Sequence, residues 1–246
     1  MLRVREYGEG AAVLLIGGCP APARHMEPLA RALAERYRVL LPDLPGYGES
    51  PRLSPYSLAG AQRLLEDELL ARGIRECALI GFSLGAWRAL AMAISARVRP
   101  TAVVAIGGVA RWTAEEKQTL AGFAQMLRAN VPTLPDLLPQ RMLSTVWLTA
   151  HPESAGEVRA WLSAAPPEVI ADELEAVARE GADLRPRIAQ LRCPILSRVG
   201  EWDVVAPAER AREVGGALEI APGCGHALLL EDFPGTLESI RRVLGV

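Results

Sequence analysis

The chain has 246 residues, 50% hydrophobic and 23% charged, and its 27 basic and 29 acidic side chains give a formal net charge of −2. This composition is typical of a globular protein with a large core and excludes collagen-like and disordered chains. The length predicts one main domain, or one domain with an insertion. Because there is neither a basic run nor a stretch of about 20 apolar residues, we expect a small-molecule partner, no nucleic acid and no membrane.

The four cysteines lie far apart and form no CxxC pair, so neither a disulfide framework nor a zinc site is expected. An apolar stretch at residues 11–19 follows Arg3 and Arg5 and loosely resembles a secretory signal. Glu6 and Glu9 offset these arginines, however, and the stretch is needed as a core strand. We therefore expect a cytoplasmic protein.

Short apolar runs alternate with helical patterns along most of the chain, which is typical of strand–helix–strand units around a parallel sheet. Because the runs are apolar throughout, helices should cover both faces of the sheet. Strands are expected at residues 2–7, 12–16, 38–41, 77–80, 101–106, 194–199 and 217–220. Helices are expected at residues 26–36, 57–72, 84–96, 207–214 and 233–244. The predicted fold class is α/β.

Between residues 109 and 187 only helical patterns remain, interrupted by prolines. A connection of this length with helices of its own is typical of a lid or binding insertion. We therefore expect a helical cap at residues 109–187, inserted into a core domain made of residues 1–108 and 188–246.

The segment Gly81-Phe82-Ser83-Leu84-Gly85 lies between a predicted strand and a predicted helix, which is the context of a nucleophile elbow. Such a turn strains the backbone of its central residue and leaves no room for side chains two positions away. It would expose the Ser83 hydroxyl beside a helix N-terminus, whose free N–H groups favour developing negative charge. Ser83 is the candidate nucleophile. The alternative is a serine that only caps the helix.

A serine nucleophile needs a base, and the order of such triads is Ser, then Asp or Glu, then His. His226 lies in a glycine-rich loop after the last predicted strand and is the candidate base. The alternative is a loop histidine that makes a backbone contact. His25 precedes Ser83, and His151 lies in the cap, where a solvated histidine is expected.

Asp203 follows the strand expected at residues 194–199 and is the candidate acid. It would accept the Nδ1 hydrogen of His226, hold the tautomer and stabilise the imidazolium. Glu201 competes with it on position, but the shorter aspartate side chain offers a better-fixed geometry.

Two backbone N–H groups are expected to hold the oxyanion. One belongs to Leu84, directly after the nucleophile. The other is assigned to Cys19, because Gly17 and Gly18 let this loop approach the substrate oxygen closely. The Cys19 thiol itself is expected to be a small side chain that lines the pocket.

With Ser83, Asp203 and His226 in this order, the chain resembles the α/β-hydrolase family from about residue 13 to its C-terminus. It is similar in particular to the pimeloyl-acyl carrier protein methyl ester esterases of biotin synthesis, through the segments LPDLPGYGES (41–50), GFSLG (81–85) and LAGF (120–123). The resemblance implies a mostly parallel sheet with an inserted cap, and hydrolysis of a carboxylic ester. We expect a monomer or weak dimer.

The sequence departs from the family pattern at Gly17, where a histidine is usual, at Cys19, where a large aromatic is frequent, and at Ala86, where many members have glycine. Loss of the histidine removes a hydrogen bond that braces the oxyanion loop. A serine at the elbow argues against dehalogenase and epoxide hydrolase chemistry, which uses a carboxylate nucleophile in this family.

The apolar residues of the cap are expected to wall an acyl pocket, although a helical apolar stripe is more often plain packing. They are Leu120, Phe123, Met126, Leu127, Met142, Leu143, Val146, Trp147 and Trp161. Phe82 is also expected to contact the substrate. Arg141 and Arg159 fall where cap arginines of the family contact the acidic carrier protein; solvated helix charges are the alternative.

We therefore predict a serine hydrolase that cleaves a carboxylic ester, with pimeloyl-acyl carrier protein methyl ester as the substrate implied by the resemblance. No cofactor or metal is expected, since the sequence lacks a phosphate loop, a dinucleotide fingerprint and a metal-ligand cluster. The alternatives are a thioesterase or carbon–carbon bond hydrolase of the same fold, and a ligand-binding homologue without turnover.

Overall fold

The computed structural model describes residues 1–245, and seven strands within them form one sheet. They are Val4–Tyr7 (β1), Ala11–Ile16 (β2), Tyr37–Pro42 (β3), Glu76–Phe82 (β4), Arg99–Ile106 (β5), Ile195–Gly200 (β6) and Ala217–Ala221 (β7). The strand order is β1-β3-β2-β4-β5-β6-β7; β1 is antiparallel to β3 and the other pairs are parallel. The α/β class and all seven predicted strands are confirmed, with no end shifted by more than two residues.

Helices cover both faces of this sheet. Within residues 1–245 they are Glu27–Leu33 (α1), Leu58–Ala71 (α2), Leu84–Ser95 (α3), Ala114–Arg128 (α4), Leu134–Met142 (α5), Thr145–Ala150 (α6), Ser154–Ala160 (α7), Pro167–Glu180 (α8), Arg185–Ile188 (α9), Ala208–Arg212 (α10), Leu228–Glu231 (α11) and Phe233–Leu244 (α12). The first predicted helix is shorter than expected, because it ends at Leu33 and residues 34–36 form a turn, while residue 26 belongs to a 3₁₀ turn at 23–26. None of the described helices has the length and apolar character needed to cross a bilayer.

Alternate residues of the central strands enter two different apolar layers. Leu14 and Ile16 of β2 pack with α2, α3 and α8, whereas Val13 and Leu15 pack with α1 and α12. All four side chains are almost fully buried. The period of two with burial on both faces is the pattern of a covered parallel sheet.

The helices α4 to α9 form the insertion between β5 and β6. Its first helix begins with a capping box, in which Thr113 accepts from the Glu116 N–H and Glu116 accepts from the Thr113 N–H. The long helix α8 packs against α4 and contributes Val169 and Ile170 to the core layer shared with α2 and α3. One side of the insertion is therefore part of the main core.

Two glycines offer a matched test of this packing. A Cβ added at Gly85 would lie 2.1 Å from the Ile16 carbonyl oxygen, whereas a Cβ at Gly122 of α4 would meet no atom within 4 Å. We expect Gly85→Ala to lower the free energy of unfolding by more than about 2 kcal/mol. Gly122→Ala should raise it by up to about 1 kcal/mol, because alanine favours the helix. Urea unfolding measures both, and equal effects would contradict the close approach at Gly85.

Candidate active site

Ser83 lies at the turn between β4 and α3 with φ 56° and ψ −121°, a strained conformation for a residue with a side chain. Its N–H donates to the Ile106 carbonyl oxygen of the neighbouring strand at 2.8 Å. A Cβ added at Gly81 would lie 2.1 Å from the Gly85 carbonyl oxygen, so a side chain two positions before the serine has no room. The local geometry is that of a nucleophile elbow.

His226 follows β7 and lies over the end of β5. Its side chain is fully buried, and a Cβ added at Gly107 would be 2.8 Å from its Cε1 atom. The N–H groups of His226 and Ala227 both donate to the Met142 carbonyl oxygen, at 2.9 and 2.8 Å. The insertion therefore contributes directly to the position of this loop.

Asp203 and His226 form a buried hydrogen-bonded pair, with 2.8 Å between Oδ2 and Nδ1 and no exposed side-chain surface on either residue. The other oxygen, Oδ1, accepts the N–H groups of Val205 and Ala206 at 2.8 Å each. Burial opposes ionisation, but the charge and hydrogen bond of His226 and these two N–H groups outweigh it and lower the pKa of Asp203.

An ionised Asp203 requires the His226 proton to be on Nδ1, which leaves Nε2 as an acceptor. Nε2 is buried and has no hydrogen-bond partner among the described residues, and it is not hydrogen-bonded to the Ser83 hydroxyl in this structure. Glu201, which competed on sequence position, instead accepts the Gly223 N–H at 2.8 Å. The structure brings Asp203, not Glu201, to the histidine.

The other two histidines occupy different surroundings. His25 is buried between Phe82 and Trp161, with ring centroids 5.3 and 4.6 Å away. Burial, with a smaller contribution from the charge of His226, lowers the pKa of His25 to about 3. His151 was expected to be solvated, but it is half-buried and stacks on Trp147 at 3.8 Å.

The loop after β2 passes close to Ser83, because a Cβ added at Gly18 would lie 2.9 Å from the Ser83 Cβ. The next residue, Cys19, and Leu84 line the same cavity as Ser83. Leu84 is the first residue of α3, where an N–H has no acceptor inside the helix. Within residues 1–245, neither the Leu84 nor the Cys19 N–H donates to a protein group.

An apolar pocket opens above these residues. Its walls come from three helices of the insertion: Leu120, Phe123 and Leu127 of α4, Leu134, Leu138 and Met142 of α5, and Ile170, Leu174 and Val177 of α8. Arg141 is the one charged side chain that lines it. Within the described part of the chain this guanidinium has no carboxylate partner, and it lies 5.6 Å from the centroid of the Phe123 ring.

Several residues predicted to contact the substrate do not reach this pocket. Phe82 is buried between His25 and His226, because it ends β4 on the same face as Ala78 and Ile80. Trp147 stacks on His151 and donates from Nε1 to Ser154 at 3.0 Å. Neither residue lines the pocket, and a contact of either with the substrate stays a prediction.

Four of the nine apolar cap residues line the pocket, namely Leu120, Phe123, Leu127 and Met142. Of the other five, Trp147 stacks on His151, Met126, Leu143 and Trp161 pack into the core layers, and Val146 is exposed. Arg159 lies outside the pocket and pairs with Asp136 at 3.0 Å. The wall formed by α8 was missed, although Ile170, Leu174 and Val177 follow a helical period of three and four that indicates one apolar face.

Among residues 1–245, no three His, Cys, Asp or Glu side chains are grouped so that they could hold a metal ion. Ser83 lines the pocket with Cys19 and Leu84. The ring of His226, which is bonded to Asp203, lies against Phe82, the residue before Ser83, with ring centroids 5.2 Å apart. Such an arrangement can activate a hydroxyl and accommodate negative charge beside it.

Comparisons with known proteins agree with this geometry. A model of the alpha/beta hydrolase family matches residues 13–238. The pimeloyl-[acyl-carrier protein] methyl ester esterase of Aeromonas hydrophila is 30% identical over 214 residues, which cover 83% of this chain and 82% of the relative. A putative carbamate hydrolase of Escherichia coli, RutD, is 23% identical over 255 residues, 95% of this chain and 91% of the relative.

Solved structures are similar over the whole chain. A thermophilic esterase from Thermogutta terrifontis has a TM-score of 0.88 and 25% identity, with 99% of this chain and 92% of that chain covered. The enol-lactonase from Burkholderia xenovorans also has a TM-score of 0.88, at 22% identity, with 100% and 96% covered. On the family match, the relatives and the fold together, this chain belongs to the α/β hydrolase family.

Proposed function

We propose that the protein hydrolyses a carboxylic ester through an acyl-enzyme intermediate on Ser83. The observation that carries this proposal is the buried His226–Asp203 pair, at 2.8 Å, in which Nε2 of His226 has no partner among the described residues. The His226 ring packs against Phe82, the residue directly before the strained Ser83. A buried polar nitrogen without a partner is costly, so its retention favours a function in proton transfer.

In this mechanism Nε2 of His226 removes the Ser83 proton as the hydroxyl oxygen attacks the ester carbonyl. The oxygen of the tetrahedral intermediate then accepts hydrogen bonds from the N–H groups of Cys19 and Leu84. His226 returns the proton to the leaving alcohol, and the acyl group remains on Ser83. A water molecule, activated by the same histidine, releases the acid and restores the serine.

Asp203 would keep the His226 proton on Nδ1 and stabilise the imidazolium formed in each step. The lowered pKa of its carboxyl suits this role, because Asp203 must be ionised at every pH at which His226 acts as the base. The two backbone N–H groups on Oδ1 fix the carboxylate so that its other oxygen faces the ring.

For the substrate, we propose an ester with an apolar acyl chain and a nearby anionic group, of which pimeloyl-acyl carrier protein methyl ester is an example. The apolar walls of α4, α5 and α8 support the acyl chain. The unpaired Arg141 supports the anionic group or an acidic carrier. The name of the Aeromonas hydrophila relative supports the particular substrate.

The first prediction from the proposed function concerns the reaction class. We expect the wild-type protein to hydrolyse methyl and p-nitrophenyl esters of medium-chain acids, with a pre-steady-state burst for the activated ester. Ser83→Ala and His226→Ala should each lower kcat by a factor of at least about 10³. A thioester of the same acyl length and a substrate with a hydrolysable carbon–carbon bond, assayed in parallel, test for thioesterase and carbon–carbon bond hydrolase activity. Unchanged ester hydrolysis in folded Ser83→Ala would refute the proposal.

The second prediction separates the two acidic candidates. Asp203→Asn should lower kcat by a factor of about 10⁴, because the histidine loses its correct tautomer. The kcat of Glu201→Gln should stay within about twofold of wild type, because the Glu201 carboxylate accepts the Gly223 N–H and does not bond to the histidine. Since the lowered pKa keeps Asp203 ionised above about pH 4, Asp203 should add no ionisation to the pH profile of kcat/KM between about pH 4.5 and 7, so the acidic limb should have a slope no steeper than one. A slope of two would mean that Asp203 titrates in this range.

The third prediction concerns Arg141. We expect Arg141→Met to raise KM about tenfold for an ester that carries a carboxylate on its acyl chain. A neutral ester of equal length should be unaffected, since it makes no ion pair. Arg242→Met, which removes an exposed charge paired with Glu219, is the control for net charge. Equal effects on charged and neutral esters would contradict the assignment.

A further inference from the structure

A fully buried ion pair lies next to the site but outside the proposed triad. Arg88 of α3 donates from Nη1 to Oε1 of Glu173 on α8 at 2.8 Å, and their side chains are 1% and 0% exposed. The pair links the helix that follows Ser83 to the helix that forms one wall of the pocket. Neither residue was singled out in the sequence.

Two tyrosines complete this cluster. Tyr56 accepts from Nη2 of Arg88 at 2.7 Å. The Tyr47 hydroxyl lies 2.6 Å from Oε2 of Glu173 and 3.5 Å from the Cys19 sulfur. With one proton to donate, Tyr47 donates to the nearer, charged carboxylate, and the Cys19 thiol then donates to the phenol oxygen.

The protonation states in the cluster agree with donation from Cys19 to Tyr47 and from Tyr47 to Glu173. Burial and the negative charge of Glu173 raise the pKa of the Cys19 thiol well above its ordinary value, and burial likewise raises the pKa of Tyr47. Both groups therefore remain neutral donors. The positive charge of Arg88 balances Glu173 inside the apolar core.

The cluster joins segments that meet at the site. Glu173 lies among Ile170, Leu174 and Val177, which line the pocket, and Cys19 lines the same pocket beside Ser83. Buried ion pairs contribute little stability compared with apolar side chains of similar volume. Their retention here favours a role in fixing geometry.

We propose that Tyr47, held by the Glu173–Arg88 pair, is a positioning residue that fixes the loop of Cys19 so that its N–H faces the oxygen of the tetrahedral intermediate. This inference rests on the proposed function. It extends that function by connecting the pocket wall to the oxyanion site through hydrogen bonds between side chains.

The test uses Tyr47→Phe, Cys19→Ala and the double variant. We expect Tyr47→Phe to lower kcat about tenfold while KM stays within twofold, because the donor is misplaced only in the transition state. The inhibition constant of a boronic acid, which forms a tetrahedral adduct on serine, should rise by the same factor as kcat falls. The double variant should be no slower than the slower single variant, since both changes break one link.

Tyr37→Phe is the matched control, because Tyr37 begins β3 at the edge of the sheet opposite the carboxyl ends of the parallel strands, and its hydroxyl donates to the Leu244 carbonyl oxygen. It should leave kcat and boronate inhibition within twofold. If Tyr47→Phe lowers the melting temperature while kcat and boronate inhibition match wild type, the cluster only stabilises the fold and the proposal fails. If Tyr47→Phe does not fold, Cys19→Ala provides the test, because it removes the contact between the Cys19 thiol and Tyr47 but keeps the hydrogen bond between Tyr47 and Glu173. Wild-type kcat and boronate inhibition in Cys19→Ala would then contradict the proposal. Failure of the proposed function is distinct, since wild type itself would then show no turnover.

Discussion

The site depends on the close approach of two backbones at the end of the central strand. A Cβ at Gly85 would lie 2.1 Å from the Ile16 carbonyl oxygen, and one at Gly18 would lie 2.9 Å from the Ser83 Cβ. Because no side chain separates β2, the turn and α3, the serine is forced into its strained conformation at the carboxyl edge of the sheet. The same contact brings the loop of Cys19 beside the first free N–H groups of α3.

The helical insertion is joined to this edge from two sides. On one side Met142 accepts the N–H groups of the His226 loop, and buried Glu231 accepts those of Ser144 and Gly225 at 3.0 and 2.9 Å. On the other side Glu173 bonds to Arg88 and Tyr47. The helices α5 and α8, which wall the apolar pocket, thus also contact the loop of His226 and, through Glu173 and Tyr47, the loop of Cys19. These contacts favour a preorganised site over one assembled by large movements.

Local patterns predicted what depends on local residues. The apolar runs located every strand, and the elbow, Asp203 and His226 could be named because their spacing and order follow from a strand-to-helix turn at a sheet edge. The pairing of β1 with β3 and the packing of each aromatic side chain depend on contacts between distant segments, so local patterns did not predict the burial of Phe82 or the stacking of Trp147 on His151. The Arg88–Glu173 pair spans 85 positions. A charged residue such as Arg88 on an otherwise apolar helix indicates that its side chain is buried, but the helix pattern does not identify its partner.

The central claim is that Ser83 is an activated nucleophile, and covalent capture tests it without knowledge of the substrate. The measurement is the intact mass of wild type, Ser83→Ala and His226→Ala after treatment with a fluorophosphonate, with peptide mapping of any adduct. We expect one adduct on wild type, located at Ser83, and none on either variant. An adduct that persists in Ser83→Ala, or a folded wild type that remains unlabelled, would contradict it.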